Sequence, residues 1–334
     1  MGAMTPGVGL VGCGLIGRKR ASALAGARLV ACADVVRTRA EALAGNAGAA
    51  ATDDWRVIIA RPDVDVVVVA TTNDMLAEVA RGALEAGKHV LVEKPAGRSV
   101  AEVDSLIDAA EEHRRLVRVG FNHRYHPALQ KARQLVDEGA VGDLMFVRGR
   151  YGHGGRIGYE KEWRANPALA GGGELIDQGV HLIDLSRWFL GDFVSTGGFA
   201  HTYFWPMEVD DNAFLLLRTA REQAAFLHVS CTEWKNLFSL EIYGRDGKLH
   251  VEGLGGSYGV ERLAYYRMLP GMGPPDTTIW EFPQADRSWE LELATFLEDI
   301  RLNRQPDADL HAARAALAVV GEIYALSASE LARR

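Results

Sequence analysis

Over its first third, the chain alternates short apolar runs with longer segments of helical periodicity. The apolar runs predict strands near 7–11, 29–33, 48–52, 65–70, 89–93 and 116–121. Between them the pattern predicts helices at 17–26, 36–44, 54–60, 74–86 and 99–113. Strands that alternate with helices form a parallel sheet covered on both faces. Residues 1–121 are therefore predicted to form one α/β domain around a doubly wound, six-stranded parallel sheet.

The pattern changes after residue 121. A helix at 127–138, a strand at 144–151 and a helix at 174–190 come first, and two helices, at 288–303 and 308–330, close the chain. Between them strands follow one another without helices, at 194–204, 212–219, 223–232, 236–244, 247–252 and 262–268. Such a series favours an antiparallel or mixed sheet. Residues 122–334 are predicted to form an α+β domain with an open-faced, mostly antiparallel sheet, whose final helix is a candidate to pack back on the first domain.

The first strand runs directly into the motif Gly12-Cys13-Gly14-Leu15-Ile16-Gly17. The second predicted strand ends at Asp34, about 20 residues on, as the dinucleotide-binding Rossmann fold requires. Gly12, Gly14, Leu15, Ile16 and Gly17 are therefore predicted to bind the pyrophosphate of NAD, and Asp34 the adenosine ribose. A carboxylate there disfavours the 2′-phosphate of NADP, although Arg37 and Arg39 lie nearby and could partly offset the repulsion. The alternative is a glycine-rich turn followed by a solvated aspartate.

Composition narrows the class of protein. At 334 residues the chain is long enough for two domains, and its 48% hydrophobic and 24% charged residues are typical of a globular protein. The net charge of −7 and the absence of a basic block argue against nucleic acid as a partner. We find no apolar run long enough to span a membrane and no secretory signal. Three cysteines, an odd number, favour a reducing cytoplasm over a disulfide framework.

A second chemical signal lies more than 150 residues after the glycine motif. Asp177, His181 and Asp184 are spaced i, i+4 and i+7, so an α-helix would place them on one face. Gly171-Gly172-Gly173 precede this helix and would let a ligand approach its start. A histidine with a carboxylate one turn away can act as a general base. A metal site and a structural histidine are the alternatives.

Other candidates follow predicted strands of the first sheet, at the carboxyl edge where ligands bind in doubly wound folds. Lys94 follows the fifth strand and could stabilise negative charge on a substrate oxygen. Cofactor contacts are predicted at Thr71, Thr72 and Asn73, although Asn73 could simply cap the next helix. Polar and aromatic groups suited to a hydroxyl-rich substrate lie after the sixth strand and in the loop 151–164: His123, Arg124, Tyr125, His153, Arg156 and Tyr159.

Together these stretches resemble the Gfo/Idh/MocA family, named for glucose–fructose oxidoreductase, inositol dehydrogenase and a rhizopine catabolism protein. The resemblance covers nearly the whole chain and rests on five stretches: 12–17, 86–95 with its Glu93-Lys94-Pro95, 120–122, Trp163-Arg164, and 170–184. It implies that Lys94, Asp177 and His181 are catalytic, that Glu93, Lys94, Asn122, Trp163 and Arg164 line the cofactor and substrate, and that the Lys94–Pro95 peptide is cis. One departure is Thr71-Thr72-Asn73-Asp74-Met75-Leu76, where members often carry Thr-Pro-Asn-x-x-His.

The expected activity is therefore an NAD-dependent oxidoreductase acting on a CH–OH group of a sugar, cyclitol or sugar nucleotide. We expect Lys94 to meet Asp177 and His181 in a cleft between the domains, where all three contact the small-molecule substrate. Two alternatives stay open: a lyase or hydrolase that uses tightly bound NAD for a transient oxidation, and a non-catalytic dinucleotide sensor. The aromatic residues of 199–231 predict a homodimer or homotetramer assembled through the exposed face of the second sheet.

Overall fold

The computed structural model describes the backbone of residues 5–331 and the side chains of residues 5–329, and it divides into two compact units. The first contains the chain up to Phe121 together with Ala168–Gly171 and Trp289–Arg314; the second contains Asn122–Pro167, Gly172–Ser288 and the chain from Ala315. The predicted domains, 1–121 and 122–334, stay a prediction, because a compact unit is not by itself a domain that folds alone.

The first unit is built on a parallel sheet of six strands in the order β3-β2-β1-β4-β5-β6. The strands are β1 Gly7–Val11, β2 Arg28–Ala33, β3 Ala50–Thr52, β4 Val66–Val69, β5 His89–Glu93 and β6 Val117–Gly120. All four valines of β4 are buried, because β-branched side chains suit a strand covered on both faces. The predicted doubly wound α/β sheet is thus confirmed.

Five helices connect these strands: α1 Leu15–Ser22, α2 Arg37–Ala47, α3 Trp55–Ile59, α4 Asn73–Glu85 and α5 Val100–Glu112. The Ser99 hydroxyl accepts a hydrogen bond from the Glu102 amide and so begins α5. α1 matters most for function, because it begins within the glycine motif and points its free amides towards the sheet's carboxyl edge.

The second unit contains an eight-stranded sheet in the order β14-β13-β12-β11-β7-β10-β9-β8. Its strands are β7 Leu144–Gly152, β8 Phe193–His201, β9 Asn212–Thr219, β10 Ala224–Ser230, β11 Leu237–Gly244, β12 Gly247–Glu252, β13 Glu261–Arg267 and β14 Asp276–Phe282. The β7–β10 pairing is parallel, and the other pairings are antiparallel. The predicted mostly antiparallel sheet is confirmed, with β14 as a strand that the sequence analysis missed.

The remaining helices are α6 Pro127–Asp137, α7 Pro167–Ala170, α8 Val180–Leu190, α9 Ser288–Leu302 and α10 Leu310–Leu331. Leu293 and Phe296 of α9 belong to the same buried cluster as Val8, Leu10 and Leu91 of the parallel sheet. A buried ion pair also joins α9 to β6, with Arg118 Nη2 2.7 Å from Asp299 Oδ2. α9 is thus an integral part of the first unit's core.

One helix departs from expectation in composition. The stretch Leu310–Ser329 of α10 is long and apolar enough to cross a membrane by length and composition, whereas the sequence analysis expected no such run. Buried core helices of globular proteins pass the same test, and 39% of this stretch is buried against the rest of the chain. The finding is therefore weak support for a membrane span.

Candidate active site

The glycine motif has the geometry of a phosphate-binding loop. Gly12 has φ +94°, and a Cβ there would lie 2.3 Å from the carbonyl oxygen of Ala70. A Cβ on Gly17 would lie 1.9 Å from the carbonyl oxygen of Gly12, so only glycine lets α1 pack this closely. At Gly14, by contrast, a Cβ would meet no atom of the described chain within 4 Å. The open space beside Gly14, at the start of α1, fits the pyrophosphate of a dinucleotide.

Asp34 lies beside this loop, directly after β2. One carboxylate oxygen accepts a hydrogen bond from the Cys13 amide at 2.7 Å, and the other accepts one from the Val36 amide at 2.8 Å. Asp34 therefore joins the glycine loop to the segment that follows β2, where the adenosine ribose binds in Rossmann folds. Arg37 points elsewhere: its guanidinium is paired with Glu41 at 2.9 Å and lies 3.9 Å from Asp53.

Glu93 ends β5 as part of a buried charge cluster. Arg20 Nε of α1 donates to Glu93 Oε1 at 2.6 Å, and Arg20 Nη1 lies 2.6 Å from Glu292 Oε2 of α9. Burial raises the pKa of Glu292 to about 7, against the opposite effect of Arg20. Two helices thus hold the residue next to Lys94. The Lys94–Pro95 peptide is cis, as the resemblance implied.

The segment after β4 also lies at the carboxyl edge of the first sheet. Thr71 Oγ1 donates to the carbonyl of Thr72, and Asn73 is the first residue of α4. The buried Asn73 amide donates to the carbonyl of Ala170 at 2.9 Å, so Asn73 anchors a second segment of the same unit. Its predicted cofactor contact stays a prediction.

In the second unit, Asp177 lies in a π-helical turn, Leu175–Gly179, that leads directly into α8. The sequence predicted one α-helix over 174–190, and this part of the prediction is wrong. The Asp210 carboxylate accepts hydrogen bonds from the amides of Gly173 and Leu175, at 2.9 and 2.8 Å, and so fixes the start of the turn. π-helical turns are rare and occur frequently at functional sites.

Asp177 pairs with one of the two residues that the resemblance singled out in the loop 151–164. Arg164 Nε donates to Asp177 Oδ2 at 3.0 Å, and the Arg164 guanidinium lies 4.6 Å from the ring centre of Trp163. Asp177 raises the pKa of Arg164, so the guanidinium stays charged. The three side chains form one partly exposed group of acid, base and aromatic ring.

His181, on the first turn of α8, is buried against His123. The two imidazoles are stacked, with ring centres 3.8 Å apart and an angle of 17° between the planes. Tyr151 of β7 packs edge-on against both rings, at 5.3 Å from His123 and 6.3 Å from His181. The structure therefore brings two candidates together, one of which was predicted only as a substrate contact.

The remaining candidates differ in how much of each side chain is exposed to solvent. Arg124 is buried and forms two hydrogen bonds with Asp184, at 2.8 Å and 2.5 Å. This pair ties α8 to the segment after β6. Tyr125 is also buried. Arg156 is exposed and pairs with Glu162 at 2.5 Å. The substrate contacts of all three stay predictions.

Glu174 is a residue whose role the sequence analysis missed. It is 1% exposed, and its Oε1 accepts a hydrogen bond from the Tyr159 hydroxyl at 2.7 Å and lies 3.4 Å from His153 Nε2. Burial alone would lower the pKa of His153, but Glu174 raises it above its ordinary value. The sequence signal that could have pointed to Glu174 is its position directly after the three glycines.

Two parts of the chain match family profiles with known descriptions. Residues 7–121 match the oxidoreductase family with an NAD-binding Rossmann fold, and residues 129–250 match the Gfo/Idh/MocA C-terminal domain. The chain belongs to the Gfo/Idh/MocA family. It is thus a member of an NAD-binding oxidoreductase family, as the sequence predicted.

Curated Gfo/Idh/MocA relatives include dehydrogenases of ring compounds. Levoglucosan dehydrogenase of Pseudarthrobacter phenanthrenivorans is 30% identical over 226 residues, which cover 60% of this chain and 58% of the relative. Inositol 2-dehydrogenase of Gluconacetobacter diazotrophicus is 34% identical over 200 residues, which cover 58% of this chain and 57% of the relative. The chain therefore spans less than two thirds of the length of these relatives.

A solved structure of levoglucosan dehydrogenase, in complex with NADH and levoglucosan, is similar in fold over nearly the whole length. The TM-score is 0.88 at 24% sequence identity, with 98% of both chains covered. At this identity the likeness establishes the fold of this Gfo/Idh/MocA member.

Among the residues that the structure describes, no group of three or more His, Cys, Asp or Glu side chains could hold a metal ion.

Proposed function

We propose that the protein is an NAD-dependent dehydrogenase or reductase acting on a CH–OH group of a sugar, cyclitol or sugar nucleotide. The observation that carries the proposal is the glycine loop. Neighbouring backbone atoms leave no room for a side chain at Gly12 or Gly17, whereas Gly14 faces open space. The Gfo/Idh/MocA membership and the two curated relatives, which are named for levoglucosan and inositol, support a polyhydroxylated ring as the substrate.

The first unit would hold the cofactor. When bound, NAD supplies the hydride acceptor, or in its reduced form the donor, for the reacting carbon. Gly14, Leu15, Ile16 and the start of α1 would bind the pyrophosphate, and Asp34 the adenosine ribose. Glu93, fixed by Arg20, would bind near the nicotinamide end together with Thr71, Thr72 and Asn73. In the second unit, Asn122, Trp163 and Arg164 would complete the cofactor contacts.

The proton would be handled by His181. As a neutral imidazole it takes the proton from the substrate hydroxyl during oxidation and returns it during reduction. Lys94 holds the same oxygen and stabilises its developing negative charge. Asp177 supports both groups electrostatically and is itself held by Arg164.

The rest of the substrate would be bound by hydrogen-bonding and aromatic side chains. Candidates are His123, Arg124, Tyr125, His153, Arg156 and Tyr159, of which Arg156 is the most exposed.

All three cysteines are buried and form no disulfide, which suits a cytoplasmic enzyme. We infer that the cytoplasm is where the protein acts.

The test is an assay of a substrate panel that includes levoglucosan and myo-inositol. Turnover is measured with NAD and with NADP from the absorbance of the reduced cofactor. On the substrate so identified, Lys94→Ala and His181→Ala should each lower kcat by about 10²–10⁴-fold, the usual worth of acid–base assistance. NAD affinity should stay within a few-fold of wild type. His250→Ala, on β12 of the second unit, is the matched control for His181→Ala and should leave kcat unchanged.

Other outcomes would contradict specific parts of this proposal. Near-wild-type turnover in both variants would show that Lys94 and His181 are not the catalytic pair. Loss of NAD binding in both would make them structural. Substrate conversion without accumulation of reduced cofactor would favour a lyase or hydrolase with a transient oxidation. Tight NAD binding with no turnover across the panel would favour a sensor.

A further inference from the structure

Gly172 and Gly173, which precede the π-helical turn of the second unit, make room for side chains of the chain itself. A Cβ on Gly172 would lie 2.1 Å from the hydroxyl oxygen of Tyr324, on α10, and a Cβ on Gly173 would lie 1.9 Å from the carbonyl oxygen of Asp210. The sequence analysis expected these glycines to let a ligand approach the start of the helix. At Gly172 and Gly173 that space is occupied by Tyr324 and Asp210 instead.

Asp210 satisfies three amides at the start of the turn, where a helix lacks acceptors of its own. Its carboxylate oxygens accept hydrogen bonds from the amides of Gly173 and Leu175, at 2.9 and 2.8 Å, and its carbonyl accepts one from the Glu174 amide at 3.0 Å. Burial raises the pKa of Asp210 to about 6, so the carboxylate is ionised at neutral pH. The helix dipole also favours a negative charge at this end.

Tyr324 completes this arrangement from α10. Its hydroxyl donates to Asp210 Oδ1 at 2.7 Å and accepts hydrogen bonds from the amides of Gly173, at 3.2 Å, and Ile176. Burial raises the pKa of Tyr324 well above its ordinary value, so the hydroxyl keeps the proton that it donates. Asp177 follows directly, and its own amide bonds to the carbonyl of Gly173 at 3.0 Å. Asp210 and Tyr324 therefore fix the backbone up to the residue before Asp177.

Other contacts also hold α10 in place. Val320 and Ile323 are buried, and Ser327 Oγ accepts a hydrogen bond from the Ala200 amide at 2.9 Å. Removing the Tyr324 hydroxyl would therefore leave the helix docked and act on the π-helical turn.

We propose that Asp210 and Tyr324 are positioning residues of the candidate active site, which hold the π-helical turn in the conformation that directs Asp177 to Arg164. In this conformation Arg164 Nε lies 3.0 Å from Asp177 Oδ2. A π-helical turn closes over one residue more than an α-helical turn, so relaxation to an α-helix would rotate Asp177 by about 100° relative to α8. The inference rests on the proposed function for the role of Asp177, but the position of Asp177 is measurable without cofactor or substrate.

The experiment follows the Nε–H resonance of Arg164 by NMR in the full chain without cofactor, with Arg164→Lys to assign it. Tyr324→Phe removes one hydroxyl and keeps the ring. We expect the Arg164 resonance to shift in this variant in the same direction as in Asp177→Asn, because the guanidinium loses its carboxylate partner in both. Tyr265→Phe is the matched control. It removes a hydroxyl that donates to the Ala140 carbonyl at 2.6 Å in the same unit, and the Arg164 resonance should not move.

The same two variants test the effect on the reaction. On an identified substrate, Tyr324→Phe should lower kcat about 10- to 100-fold and leave NAD affinity within a few-fold of wild type, because a misplaced group impairs the chemical step more than cofactor binding. Tyr265→Phe should leave both quantities unchanged.

An unshifted Arg164 resonance in Tyr324→Phe would overturn the proposal, and so would a shift accompanied by wild-type kcat. If that variant fails to fold, Gly172→Ala replaces it, since the new Cβ should displace the Tyr324 hydroxyl and produce the same shift. Failure of every substrate in the panel would count against the proposed function and leave the NMR result to decide the positioning.

Discussion

Asp34 shows how one side chain can serve both the fold and a ligand. Its two carboxylate oxygens accept amide hydrogens from Cys13 and Val36, which shapes the loop around Gly14. The sequence predicted this residue because the glycine spacing and the strand that precedes it are local signals. It could not predict Arg20 as the partner of Glu93 and Glu292, because those contacts join segments far apart in the chain and only the tertiary fold brings them together.

Asp34→Ser should weaken NAD binding by about tenfold or more and reduce the preference for NAD over NADP. A carboxylate that binds two ribose hydroxyls repels a 2′-phosphate, and the shorter hydroxyl would do neither. Because Arg37 is paired with Glu41, we expect Asp34 to determine the preference for NAD over NADP. The measurement is a fluorescence titration with both reduced cofactors. Asp63→Ser, at the opposite edge of the sheet, is the control. Tighter NADP than NAD binding in the wild type would contradict the assignment.

At the scale of elements, the predictable parts are those with a regular pattern. The four buried valines of β4 are typical of a strand with both faces covered. β14 is different, since the residues Asp276–Phe282 are mostly exposed and show no clear alternation of buried and exposed positions. The π-helical turn at Leu175–Gly179 leaves no mark in the hydrophobic periodicity, because it depends on the distant Asp210. The sequence analysis thus missed one element that lacks an alternating pattern and one that a distant contact fixes.

The pairing of β7, β11 and β12 predicts a measurable pH dependence. Burial alone would raise the pKa of Glu241, but hydrogen bonds from Lys248, Arg148 and Tyr243 outweigh it and lower the pKa to about 2. Since the folded-state pKa lies below the unfolded 4.5, the stabilisation is complete above pH 4.5 and is lost as the pH falls towards 2. The group is partly exposed, so solvent screening limits the effect to about 1 kcal/mol or less.

Glu241→Gln should therefore lower the free energy of unfolding at pH 7, and its difference from wild type should shrink steadily below pH 4.5. Urea unfolding at pH 7, 4.5 and 3 measures this difference. Glu281→Gln, which alters an exposed carboxylate on β14, provides the comparison and should match wild type at all three values. A difference that stays constant with pH would mean that Glu241 acts through packing instead of charge.

At the scale of the whole molecule, the second sheet presents a distinct apolar area on β8, β9 and β10. Leu216 and Phe226 are direct cross-strand partners, and each is at least half exposed. Phe199 is 38% exposed and faces Phe214 across β8 and β9. Tyr203 and Phe204 extend the exposed apolar surface beyond the end of β8. Contiguous exposed patches of this kind typically mark protein–protein interfaces.

The protein should therefore be a homodimer or homotetramer in solution at micromolar concentration, assembled through this face. A second copy is the natural cover, because a two-fold axis would set the same apolar patch of each sheet against its own counterpart. Leu216→Asp combined with Phe226→Asp would bury four carboxylates at a two-fold interface without partners, which should dissociate the assembly completely. Light scattering after size exclusion gives the mass directly. Ile157→Asp, at an exposed loop position outside the sheet, should leave the mass unchanged. A monomeric wild type would refute the prediction, and an unchanged oligomer in the double variant would move the interface to another face of the molecule.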